Sequence, residues 1–233
     1  MPMPVSTLVV TSSALYPIGL PPTPREPVGT ERGNRLKFEV EETPLAGCSV
    51  LRAPVFHDHR GGFGELYRAD EFLAAGVPLP ESHQINLSWS VQNVVRGLHF
   101  QWNPPMAKLM RVVYGEAFLV AVDVRKGSPT LGRHVGKVMR GDPGDWHTPV
   151  EMLWAPESFA RGFAVLSERV LIEYVCSGSY TKTKEESGIL WKDPEIGIEW
   201  PVSTPILSDK DRDAQTLRQW LERPESEAFQ FGG

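Results

Sequence analysis

The sequence predicts an all-β protein: a jelly-roll sandwich or barrel carrying only a few short helices. Three observations predict it. From about residue 48 onward, roughly ten apolar segments follow one another, mostly four to eight residues long and rich in Val, Leu and aromatics. Turn chemistry separates them, as in Asp58-His59-Arg60-Gly61-Gly62, Arg125-Lys126-Gly127-Ser128-Pro129 and Arg140-Gly141-Asp142-Pro143-Gly144. Helical patterning is confined to short pieces, and the chain has neither internal repeats nor a glycine-rich phosphate loop of standard spacing.

Taken in order, residues 1–45 come first. Seven prolines fall in the first thirty positions, including Pro21-Pro22-Thr23-Pro24. Proline donates no ladder hydrogen bond and interrupts helices. The segment therefore reads either as an extended arm, with a short strand at 7–11, that wraps the core or a partner subunit, or as a disordered tail. Residues 46–233 form the jelly-roll domain. Its strands are expected at 49–55, 64–67, 84–90, 94–101, 108–113, 117–124, 134–139, 152–155, 162–167 and 170–176. A helix at 71–75 follows Asp70 as its N-cap, and a C-terminal helix at 212–221 follows the acidic Asp209 and Asp211.

Composition narrows the function. With 233 residues, a net charge of −5 and a pI near 5.7, the chain is a poor electrostatic partner for nucleic acid or an anionic membrane. Its two cysteines, Cys48 and Cys176, lack metal-ligand spacing and fit a reducing cytosol. There is no apolar run of about 20 residues, nor the charged and hydrophobic pattern of a secretory signal. The expectation is a cytoplasmic protein.

The stretch richest in chemistry is Arg96-Gly97-Leu98-His99-Phe100-Gln101. An imidazole titrates near neutral pH, so His99 in an apolar strand suits a general base, or else is a core histidine satisfied by one hydrogen bond. On a regular strand Arg96 and His99 would face opposite sides. Both reach one cavity only if the strand is irregular between them, and Gly97 is the residue that permits a bulge. A metal is not expected. Metal-binding jelly rolls supply two histidines one residue apart on a strand, then a glutamate and a later histidine. Here Phe100 and Gln101 follow His99, and the histidines one residue apart, His57 and His59, flank Asp58 in a turn. Where a later histidine would complete the site stands Ala160-Arg161-Gly162-Phe163, and an arginine repels a divalent cation.

Several motifs follow one another along the chain: Asp58-x-Arg60-Gly61 with Phe63 and Glu65, Gln84-x-Asn86, Arg96 to Gln101, Lys108-Leu109-x-Arg111, and Val122-Asp123-Val124-Arg125-Lys126-Gly127-Ser128-Pro129-Thr130. Pro156-Glu157-x-Phe159-Ala160-x-Gly162-Phe163, Gly188-Ile189-Leu190-Trp191, Ile196-Gly197-Ile198-Glu199-Trp200-Pro201 and Leu207-Ser208-x-Lys210-Asp211 complete the series. Together these motifs resemble the dTDP-4-dehydrorhamnose 3,5-epimerase family. The resemblance covers residues 48 to about 215 and implies a cupin-like jelly roll that acts on a nucleotide-linked 4-keto-6-deoxy sugar. The C4 ketone acidifies the C–H bonds at C3 and C5, a base removes a proton, and an acid returns one from the opposite face. By resemblance His99 is the base, Asp211 its carboxylate partner, Tyr174 the acid, and Lys108, with Arg96, the positive charge near the C4 oxygen. Arg60, Phe63, Glu65, Gln84 and Asn86 match positions used around the nucleotide, part of them from a neighbouring subunit, which implies a homodimer. Gln101, Arg161, Tyr180 and Lys210 are expected to line the substrate site.

The chain departs from the family at three places. Arg161 stands where the family commonly has a histidine, with Ser158 replacing the first glycine of that run. The loop at 139–150, with Trp146 and His147, is expanded, and Gln101-Trp102-Asn103-Pro104-Pro105-Met106 differs from the usual polar run. The resemblance thus implies an isomerase without cofactor or metal. A single-centre epimerase and a sugar-nucleotide-binding cupin that has lost catalysis are the alternatives; the presence of His99, Lys108, Tyr174 and Asp211 together favours an enzyme.

Overall fold

The computed structural model describes residues 38–78, 84–141, 148–178 and 186–232. In chain order its strands are β1 (Glu39–Glu42), β2 (Ser49–Ala53), β3 (Val55–Asp58), β4 (Gly61–Gly64), β5 (Gln84–Val91), β6 (Val95–Gln101), β7 (Lys108–Tyr114), β8 (Glu116–Asp123), β9 (His134–Arg140), β10 (Val150–Ala155), β11 (Phe159–Val165), β12 (Arg169–Cys176) and β13 (Glu186–Gly188). Helix α1 (Ala69–Ala74) precedes β5; α2 (Asp209–Arg212), α3 (Leu217–Leu221) and a 3-10 turn at Pro224–Ala228 close the chain.

Two antiparallel sheets carry the fold, one ordered β1-β2-β10-β7-β12-β5 and the other β13-β6-β11-β8-β9. They stack face to face, because alternate residues on each strand are apolar. Met110, Val112, Leu153 and Ile172 of the first sheet meet Leu119, Ala121, Phe159 and Phe163 of the second in a shared core. The intervening residues point outward but are also covered. Leu98, Phe100, Val120, Val122 and Ala160 pack under Leu217, Trp220 and Phe229 of the C-terminal segment. Leu51, Leu109, Met152 and Trp154 pack with Phe72 of α1 and Val77. This double covering explains why β11 is apolar almost throughout and buried at every position. The jelly-roll expectation holds.

Several boundaries differ from the sequence reading. The strand expected at 49–55 is two strands, divided at Pro54, which cannot donate to a ladder. The strand expected at 64–67 is instead β4, built on the glycines that read as a turn. Gly61 pairs with Asp58, leaving His59 and Arg60 as the hairpin loop. Asp70 does not cap α1; the N-cap is Arg68, without a side-chain bond, and Asp70 lies in the first turn. The helix expected at 212–221 is α2 and α3, each started by a hydroxyl. Ser208 accepts from the Asp211 amide, and Thr216 forms a capping box with Gln219. A side chain that caps in mid-segment competes with helix continuity, so the second cap resets the chain. Strands β1 and β13 had no sequence signal; β1 is Glu-Val-Glu-Glu, exposed along its length, on a sheet edge. It lies in the proline-rich N-terminal stretch, whose residues 1–37, with the expected strand at 7–11, fall outside the described residues.

Candidate active site

The site begins with an irregularity in β6. His99 pairs with Arg161 of β11, and Arg96 pairs with Phe163, so three steps on β6 match two on β11. The extra residue returns Arg96 and His99 to the same face, as the Gly97 reading expects. Gly97 has a φ of +120°, and a Cβ there would lie 2.6 Å from the Gly162 Cα and 2.7 Å from the Arg161 carbonyl oxygen. Only glycine fits on both counts. Gly97→Ala is therefore expected to lower stability by about 1–3 kcal/mol and to disturb His99 and Arg161 together. Thermal melting and activity measured on one preparation check this.

His99 Nε2 is 2.5 Å from Asp211 Oδ1. Asp211 is fixed from three sides: the Ser208 hydroxyl donates to Oδ2 over 2.8 Å, the Asp211 amide donates back to that hydroxyl over 3.2 Å, and the Gly97 amide donates to the carboxylate. Burial pushes this carboxyl up, but the bonds from His99, Ser208 and Gly97 outweigh it and hold its pKa below the ordinary value. An ionised Asp211 takes the Nε2 proton as a hydrogen bond, which leaves His99 Nδ1 as the basic atom. Asp211→Asn removes the charge that balances an imidazolium, and its amide can donate to Nε2 and force the proton onto Nδ1. Activity is expected to fall on the order of 10²-fold. The pH dependence has a definite sign. A carboxyl with a lowered folded pKa stabilises the fold fully above about pH 4 and loses that contribution as pH falls through the folded value. The stability gap between wild type and Asp211→Asn should close on acidification below pH 4, as read by chemical denaturation.

The opposite wall is the other sheet. On β7, Lys108 shares the inward parity of Met110 and Val112, and its Nζ lies 5.6 Å from the Tyr174 ring centroid. Tyr174 on β12 packs against the inter-sheet core, and its hydroxyl is hydrogen-bonded to that of Ser88 on β5. Burial raises the Tyr174 pKa, against a smaller opposing effect of Arg96, so the phenol keeps its proton. Burial lowers the Lys108 pKa, with nearby Arg161 adding to the effect. Beside Tyr174, the Gln84 amide donates to Asn86 over 2.6 Å, and the Asn86 amide reaches the Cys176 sulfur at 3.6 Å.

Three further predicted residues join this cavity. Arg96 donates from Nε to Ser90 over 3.1 Å. Gln101 is buried and donates to the Pro104 carbonyl over 2.9 Å, while its Oε1 has no partner among the described residues. Arg161, 4% exposed, donates from Nη2 to the carbonyls of Met106, Ala155 and Pro156. Lys210 sits at the edge, exposed and bonded to Glu186 over 3.0 Å.

Other predicted residues are not gathered here. Arg60, Phe63 and Glu65 belong to the separate β3–β4 hairpin and the stretch after it. Arg60 is exposed and paired with Asp58, Phe63 is 70% exposed, and Glu65 pairs with Arg68. Tyr180, Trp146 and His147 lie outside the described residues. Among the described residues, no three His, Cys, Asp or Glu side chains converge as a metal site would need. Sequence reading missed Ser88, which bonds the phenol, and Ser208, which holds Asp211. Ser88 had a signal: Gln84, Asn86, Ser88 and Ser90 are the polar alternates of a strand whose other alternates are Ile85, Leu87, Trp89 and Val91.

Comparisons with known proteins show what the chain is similar to. The model of the dTDP-4-dehydrorhamnose 3,5-epimerase family matches residues 42–219. The chain is 42% identical over 179 residues to the dTDP-4-dehydrorhamnose 3,5-epimerase of Shigella flexneri, covering 76% of this chain and 95% of that protein. The crystal structure of a dTDP-6-deoxy-D-glucose-3,5-epimerase from Legionella pneumophila, in complex with dTDP-4-keto-L-rhamnose, superposes with a TM-score of 0.74. It is 32% identical and covers 84% of this chain and all (100%) of its own. A 3'-monoepimerase from Streptomyces bikiniensis, in complex with dTDP-quinovose, superposes with a TM-score of 0.68 at 31% identity, over 77% of this chain and 89% of that one. With an imidazole paired to a buried carboxylate, a phenol on the facing sheet, and matches spanning most of both chains, this protein belongs to the dTDP-4-dehydrorhamnose 3,5-epimerase family.

Proposed function

We propose that this protein inverts C3, C5 or both in a dTDP-linked 4-keto-6-deoxy sugar. One observation supports the reading above the others: the His99–Asp211 pair and the Tyr174 phenol belong to facing sheets, so a sugar between them meets a base on one face and an acid on the other. Inversion requires that arrangement. His99 Nδ1 takes the proton from the carbon next to the C4 ketone, and the C–H electron pair moves to the C4 oxygen as an enolate. Asp211 stabilises the imidazolium. Lys108 offers positive charge to the enolate oxygen. Tyr174 then gives its proton to the opposite face of the same carbon; the phenolate regains a proton from solvent and the imidazolium releases one to it. The ketone itself acidifies the C–H bond, so the step needs no external electron carrier.

The nucleotide end is read from residue chemistry. Gln84 and Asn86 can hydrogen-bond a pyrimidine edge, Phe63 can stack on it, and Arg60 can pair with diphosphate oxygens, with Glu65 beside them, while Arg96 adds positive charge near the C4 oxygen and Gln101, Tyr180 and Lys210 line the substrate site. The exposed Phe63 and Arg60 suit a hairpin that serves a neighbouring subunit. The outer face of edge strand β5 supports a homodimer: Ile85, Leu87, Trp89 and Val91 are all exposed there, forming an apolar stripe. Sedimentation equilibrium should give a dimer, and Trp89→Asp should shift it toward monomer.

Incubation with the dTDP-linked 4-keto-6-deoxy sugar in D₂O, followed by NMR, tests the function. Deuterium at C3 and C5 reports both deprotonations, and deuterium at one carbon reports a single-centre enzyme. That narrower outcome would match the 3'-monoepimerase, to which the chain is also similar. No deuterium at either carbon would refute the reading.

A further inference from the structure

We propose that Arg161 is a second cation of the oxyanion site, donating with Lys108 to the C4 oxygen as it becomes an enolate. The inference rests on the epimerase reading above. Its foundation is a guanidinium that is almost fully buried yet only partly used. Nη2 is held by the carbonyls of Met106, Ala155 and Pro156, which fixes the group before any ligand arrives. Among the described residues, Nε and Nη1 have no hydrogen-bond partner. Buried donors are almost always paired, and a charged one left unpaired is costly, so these N–H groups call for an acceptor brought from outside.

The surroundings say which acceptor. Arg161 pairs across the strands with the base His99, and flanking Phe159 and Phe163 point into the inter-sheet core. Its charge is felt by Lys108 on the facing sheet. Among the described residues neither cation forms an ion pair. The acids nearby, Glu157 for Arg161 and Glu186 for Lys108, act on them through space and bond elsewhere. Glu157 bonds to the Ser177 hydroxyl, Glu186 bonds to Lys210, and the thiols of Cys48 and Cys176 are kept neutral by burial, Cys48 being pushed up to about 12. Two cations without a directly bonded carboxylate favour a ligand that gains negative charge there. The ketone is neutral and the enolate is not, so their effect falls on the transition state more than on binding. Arginine suits this role, because its guanidinium can hold the three carbonyls and still present N–H groups, and it stays protonated even with its pKa pushed down to about 10 by burial.

The test uses the full chain and two variants, Arg161→Gln and Arg161→Lys, in the D₂O assay with steady-state kinetics and melting curves. Lysine can keep the charge and bind the same carbonyls but has no N–H left for the substrate. Both variants should lose kcat and deuterium exchange together, by on the order of 10²-fold, with KM changed by less than about threefold. Arg161→Gln should also move the alkaline limb of the rate profile to higher pH, since it removes a cation beside Lys108; a purely structural role would not move it. If Arg161→Gln does not fold, Arg161→Lys decides. Exchange within about threefold of wild type in a folded Arg161→Lys variant, or an alkaline limb that stays in place in Arg161→Gln, would overturn the proposal. A wild-type protein that exchanges nothing would instead overturn the epimerase reading beneath it.

Discussion

His99→Ala is expected to reduce deuterium exchange at every reacting carbon by on the order of 10² or more, while the fold survives. The fold should survive because His99 is not a core residue: its side chain is 26% exposed, and its partner Asp211 keeps its bonds to Ser208 and the Gly97 amide. Activity should collapse because no other described imidazole serves the cavity. His57 and His59 sit on the β3–β4 hairpin, and His134 begins the edge strand β9. The loss should appear in retained and inverted sugar alike, since without deprotonation neither acquires deuterium. His99→Asn separates charge from packing: it keeps a polar group opposite Asp211 but cannot accept a proton near neutral pH, and it should be as inactive as alanine. Exchange near the wild-type rate in either variant would remove His99 from the role of base.

Much of this arrangement could be read before any coordinates. The His99 motif carried both the imidazole proposed as base and the irregular strand, because a glycine between two residues that must share a face has few other uses. The alternation of apolar residues gave the two sheets. What remained hidden were facts of register and long-range contact. Arg161 reads in sequence as an arginine beside a glycine on an apolar strand. Its burial, its three carbonyl partners and its place opposite His99 arise only once β11 pairs with β6. Ser208 caps α2 and bonds the Asp211 side chain locally, and only α2 lying against β6 brings that carboxylate to His99. The β3–β4 hairpin was misjudged because glycine favours turns and weakens strands, yet three of the four residues of β4 are glycine.

Tyr174→Phe should separate two events that His99→Ala abolishes together. The substitution keeps the ring, its packing against the inter-sheet core and its place under the Lys108 ammonium, and removes the transferable proton. The phenol is protonated at working pH, because burial raises its pKa, and such a weak acid gives up a proton readily only to a strong base such as an enolate. In the variant His99 still abstracts, Lys108 still holds the enolate, and His99 can return a deuteron to the face it came from. Retained sugar should therefore still gain deuterium, while inverted product falls by a further factor on the order of 10². One NMR sample supplies both numbers. Ser88 sharpens the test. Its hydroxyl is bonded to that of Tyr174, so Ser88→Ala should slow inversion mildly through the orientation of the phenol and leave exchange intact. Equal loss of exchange and inversion in Tyr174→Phe would make the phenol a group that orients the sugar, and unchanged inversion would assign the proton to a different donor.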